Sequence, residues 1–110
     1  MKLPGGDRAL VDVVKLQEYC LNERHPRGRH KARLFASILG ITGEDVEILR
    51  QAILRAGAEG EAWLGQRDDY GQRYVVDFEM TGPSGSAMVR SIWIVLKGEN
   101  FPRLVTCFVL

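Results

Sequence analysis

Hydrophobic and polar positions change their period once along this 110-residue chain. Up to about residue 60 the apolar side chains recur every three to four positions, whereas from Ala62 onward they alternate. The first pattern belongs to helices with one buried stripe, the second to half-buried strands. After a short apolar entry at Leu10 and Val11, Asp12 is the cap of a first helix carrying Val13, Leu16, Tyr19 and Cys20, with Asn22 as its stop. The loop "ERHPRG" follows, because Pro26 turns His25 away from helical angles and Gly28 permits a turn. A second helix is predicted from about Arg29 to Leu39, ended by Gly40. The third begins at "TGED", with Thr42 as N-cap and Asp45 three residues on, and buries Val46, Leu49, Ile53 and Ala56.

Four strands follow. "EAWLGQRDDYG" reads as a modest edge strand, "QRYVVDFEM" as a strong one, "SAMVRSIWIVLK" as the longest and most central, and "PRLVTCFVL" as the last. "TGPSG" (81–85) is a hairpin turn that sets Asp77 opposite Arg90, and "KGENFP" (97–102) is a longer connection. The expected class is α+β: three N-terminal helices packed on one face of a four-stranded antiparallel meander, as a single domain over residues 1–110. Tyr74, Val76, Phe78 and Met80 then face the helices, while Arg73, Asp77 and Glu79 face away. The same counting puts Ser91 and Thr106 on the face of Trp93, Phe108 and Tyr74.

Composition changes this picture little and charge changes it more. The chain is 45% hydrophobic and 26% charged, with neither an apolar run long enough for a bilayer nor the apolar stretch of a secretory signal, so a cytoplasmic protein is expected. Cys20 and Cys107 sit in apolar surroundings without metal-ligand spacing and read as inert core thiols. Net charge is +1, yet Arg24, Arg27, Arg29, Lys31 and Arg33 fall within ten residues that hold no acid, leaving −4 for the rest. A localised anion contact is implied, not general polyanion coating.

Helix starts ordinarily collect acids, because their unpaired N–H groups and the macrodipole are already positive. The third helix obeys this rule and the second breaks it. Arg27, Arg29, His30 and Lys31 would repel one another there unless an anion or a carboxylate completes the set, with Arg33 a further phosphate-binding candidate; solvated side chains pairing loosely with Glu18 or Glu23 are the plainer account. A helical wheel puts Lys31 inside the apolar stripe of Leu34, Phe35, Ile38 and Leu39, with His30 and Arg33 opposite. Lys31 therefore either extends its stem over apolar surface to water or points into a cleft between helix and sheet. His25 and His30, the two histidines, lack the further ligands of a zinc site, and no metal or cofactor is expected. Either could move a proton while Lys31 neutralises phosphate charge. Arg90 is a cross-strand ion-pair partner of Asp77 or a further phosphate contact, and Thr106 a core hydroxyl or one that orients a phosphate.

"LNERHPRGRHKARLF", "DYGQRYVVDFEMTGPSGSAMVRSIWIV" and "FPRLVTCFVL" together resemble an uncharacterised bacterial domain family with an HPxGxHKAxxF core, found in settings reminiscent of toxin systems. The element order is similar to that of the barnase, EndoU, colicin and RelE group of metal-independent ribonuclease toxins. By analogy of fold, the resemblance implies His30 or His25 as proton shuttle, Lys31 and Arg90 as phosphate ligands and Thr106 as a strand hydroxyl. The partners implied are RNA or another phosphate-bearing ligand. Alternatively, a non-catalytic module docks an acidic antitoxin or immunity protein.

Overall fold

The computed structural model describes residues 1–110. Helix α1 starts at Val13–Lys15 and widens into a π-helical segment, Leu16–Cys20. Its entry is held by Asp12, whose carboxylate accepts from Val14 N (3.0 Å) and Lys15 N (3.4 Å). Helix α2 runs Arg29–Leu34 and continues in π form over Phe35–Leu39. Gly40, at φ 72°, ends it in the left-handed region that only glycine adopts freely, and a β-carbon there would lie 2.5 Å from Ser84 Oγ. Helix α3 (Val46–Glu59) follows a 3-10 turn in which Thr42 and Asp45 form the expected capping box.

The strands are β1 (Ala62–Arg67), β2 (Gly71–Gly82), β3 (Gly85–Leu96) and β4 (Arg103–Val109), antiparallel and adjacent in chain order. The class is α+β, with the three helices N-terminal to the sheet as the change of period requires. Leu16, Cys20, Phe35, Leu39, Leu49 and Ile53 bury themselves against Val76, Val89, Trp93 and Cys107. Trp93 lies within this layer, its indole Nε1 donating to Ser91 Oγ (3.0 Å), which in turn donates to Val76 O (2.7 Å). Both polar groups are thereby satisfied at no exposure. No helix is long and apolar enough to cross a membrane.

Asp77 pairs with Arg90 across β2 and β3, as the hairpin predicts. The register of β4 differs from simple counting. Ser91 lies opposite Cys107 and Ile92 opposite Thr106, but Trp93 lies opposite Leu104, so Val105 is an inserted bulge residue. Counting by twos from the core residue Leu104 puts Thr106 and Phe108 inside. The extra residue flips them to the face of Ile92 and Arg90, away from Ser91, Trp93 and Tyr74.

Candidate functional site

The basic segment folds around His25. Its Nδ1 accepts from the backbone N–H of Arg27 (3.1 Å) and of Gly28 (3.1 Å), while Arg29 N donates to His25 O (3.0 Å). Three amides at the entry to α2 are thus satisfied internally, where the reversed charge pattern had implied amides open to an anion. The ring also meets Tyr19 edge-on at 4.6 Å between centroids. A β-carbon on Gly28 would fall 2.4 Å from Tyr19 O, so the turn requires glycine to approach α1. His25, Pro26 and Gly28 of the HPxG stretch therefore build the turn. His25→Ala should lower unfolding stability by about 1–3 kcal/mol through the lost acceptor and ring contact, read as a shifted denaturation midpoint at unchanged slope.

The charged side chains divide into two populations. Five of the seven arginines outside the segment, Arg8, Arg50, Arg73, Arg90 and Arg103, each have a carboxylate partner. Arg24, Arg27, Arg29, Lys31 and Arg33 have none, and the loose pairing with Glu18 or Glu23 does not form. The four arginines are exposed, as is His30.

Lys31 behaves differently. The buried stripe of α2 is Ala32, Phe35 and Leu39, rotated from the stripe on the wheel, whereas Leu34 and Ile38 are 41% and 37% exposed. Lys31 thereby moves from the middle of the apolar face to its shoulder, half-buried. From there Nζ reaches β4 and lies 4.6 Å from the centroid of the Phe108 ring, a cation–π contact. Phe108 is the cross-strand neighbour of Arg90, which places Lys31 and Arg90 on either side of one stretch of β4, although the Arg90 guanidinium is directed to Asp77 on β2. Helix α2 lies along β4. Concavities of about 860 Å³, between α3 and β2, and about 380 Å³, at the strand ends, both lie away from the segment. The expected cleft between the second helix and the central strands is thus replaced by an open surface at the β4 edge.

Arg90 carries a forked ion pair, its Nε and Nη2 donating to the two carboxylate oxygens of Asp77 at 2.9 Å each. Asp77 holds the guanidinium more firmly protonated than usual, and Arg90 Nη1 is the nitrogen left outside the fork. Thr106 Oγ1 is buried without a hydrogen-bond partner. The thiols of Cys20 and Cys107, distant in sequence, interact in the core: the neighbouring Cys107 thiol lowers the Cys20 pKa from the ordinary thiol range against the effect of burial. Cys107 is pushed up by the same partner and by burial. At 1% and 0% exposure neither thiol is open to solvent. Phe108 and Asp77 are site residues that sequence reasoning did not select. The alternation of β4 marked Phe108 as a strand aromatic, but the bulge hid the face it occupies.

The family described as Domain of unknown function (DUF6883) matches residues 2–110. No curated protein matches the sequence. Among solved structures, a chain of a contact-dependent growth inhibition toxin–immunity protein complex from Klebsiella pneumoniae 342 shares the fold at a TM-score of 0.67. The two are 20% identical, and the match covers 92% of this chain and 99% of that one.

Proposed function

Since the chain belongs to the DUF6883 family of domains of unknown function, we propose from its geometry that it is a toxin-type domain that binds RNA and cleaves it without a metal. The supporting observation is the split in charge pairing: Arg73, Arg90 and Arg103 on β2, β3 and β4 are matched with carboxylates, whereas the cations of residues 24–33 are left for an external anion. Exposed arginines suit phosphate, offering forked donors without a desolvation cost paid in advance. Arg27, Arg29 and Arg33 hold the backbone, and Lys31 meets a phosphate at the Phe108 ring, with Arg90 Nη1 beside it. Thr106, two residues before Phe108, keeps its hydroxyl buried beneath this surface and is given no contact with the phosphate.

His30 is the histidine free for chemistry, because His25 Nδ1 is committed to the turn. In the proposed step a ribose 2′-oxygen attacks the adjacent phosphorus while His30 takes the hydroxyl proton. The new O–P bond forms, the bond to the 5′-oxygen breaks, and that oxygen takes a proton from water. Lys31 with Arg27 or Arg90 stabilises the charge added to the phosphoryl oxygens. Incubating the protein with mixed-sequence single-stranded RNA in a chelator tests this. Fragments ending in cyclic phosphate are expected, and intact RNA across a range of salt and pH would remove the catalytic part.

A second reading, a non-catalytic module that docks an acidic antitoxin or immunity protein, draws on the openness of the basic surface, which a flat partner could cover. That the structurally similar chain comes from a toxin–immunity protein complex supports a protein partner of this kind. Salt-sensitive binding to such a protein together with intact RNA would favour it.

A further inference from the structure

At the far end of the sheet from Phe108, the ends of β1, β2 and β3 enclose the cleft of about 380 Å³. We infer that this cleft is a second anion site, built for a phosphoryl group, with Arg67 and Lys97 as its charged ligands and the Gly98 amide as a backbone donor.

The strand pairing assembles it. Arg67 is the partner of Gln72 and Gly71 that of Leu96, which brings the end of β1 to the turn after β3. Lys97 N donates to Tyr70 O (3.0 Å), closing that turn onto the β1–β2 connection. Gln72 Nε2 donates to Gly65 O (3.0 Å) and Arg73 O (2.9 Å), fixing the bulged stretch that leads into Arg67.

Arg67 and Lys97 both line the cleft and neither has a carboxylate partner. Glu99 is the one acid in the lining, and Arg103 already holds it through two 2.8 Å hydrogen bonds. The cleft therefore presents uncompensated positive charge. Gly98 N–H makes no backbone hydrogen bond, and nothing lies within 4 Å of where its β-carbon would be, so a ligand can approach the main chain. Tyr74 adds an aromatic wall.

Lys97 is seven residues beyond Arg90 on the same chain direction, roughly 23 Å at about 3.3 Å per residue, so one phosphate cannot touch both places. The inference stands apart from the proposed RNA chemistry, because it uses none of residues 24–33.

Amide NMR of the whole chain tests it with two probes, inorganic pyrophosphate and a short oligouridylate. Saturable shifts are expected at Gly98, Lys97 and Gly71. Arg67→Gln with Lys97→Gln should weaken the response about tenfold or more, whereas Arg27→Gln, Arg29→Gln and Arg33→Gln together leave it unchanged. Both cations are exposed, so an unchanged thermal midpoint confirms that the double variant folds. A response to pyrophosphate identifies a free phosphoryl compound as sufficient, and a response to the oligonucleotide alone identifies a phosphodiester backbone as the source. No shift at Gly98 with either probe, or shifts that survive the double substitution, would overturn the site.

Discussion

His30→Ala is expected to lower RNA cleavage by about 10²- to 10⁴-fold, the range associated with a positioned acid or base, while leaving the fold intact. The side chain is exposed and sits on the turn of α2 opposite the stripe that packs into the core, so truncation removes no buried contact. RNA affinity should hardly change, because the phosphate charge is carried by the arginines. The expected signature is therefore a loss in kcat with KM preserved. A folded His30→Ala protein that turns RNA over at the wild-type rate would remove this residue from the mechanism. His25→Ala provides the contrast: its effect falls on stability, because its ring is part of the turn.

Trp93→Ala should cost about 3–5 kcal/mol of stability, a large share of the 5–15 kcal/mol typical of a domain. Trp93 has no exposure and is the largest of the fully buried side chains. Its six-membered ring edge abuts Gly57 on α3, where a β-carbon would already come within 3.1 Å of Cζ2. Removing the indole opens a cavity between sheet and helix that neither element can close, since α3 is tied at its start by the capping box and β3 is paired on both sides. Ser91 Oγ keeps its bond to Val76 O, so the loss measures packing more than an orphaned hydroxyl. Urea unfolding of the two proteins gives the difference, and a cost below about 1 kcal/mol would show that the helix layer does not rest on this side chain.

The parts of the fold that depend on local chemistry were legible in the sequence. The Asp12 cap, the Thr42–Asp45 box and the Gly40 stop each depend on a few neighbouring residues, and the short Gly82–Gly85 turn determines the Asp77–Arg90 pairing. The features that were not legible depend on distant contacts. The bulge at Val105 is a property of how β4 pairs with β3 and carries no local signal, and without it Thr106 and Phe108 fall on the wrong face. Contact between Cys20 and Cys107 depends on the packing of α1 over β4. For Lys31 the wheel gave the approximate direction, but a modest rotation of the buried stripe towards Ala32 decided whether its ammonium met a cleft or the Phe108 ring. His25 carried an ambiguous signal, because a histidine in a basic loop looks alike whether it acts on a substrate or holds a turn.

The central claim is that the cations of residues 24–33 await phosphates. Measuring RNA affinity against salt concentration, for wild type and for the Arg27→Gln, Arg29→Gln, Arg33→Gln variant, tests it most directly. For single-stranded RNA each neutralised phosphate adds about −0.7 to the slope of log K against log salt. The account predicts a steep wild-type slope that becomes shallower by about 2 in the variant, with affinity falling roughly a hundredfold at low salt. Equal slopes and equal affinities in the two proteins would contradict it.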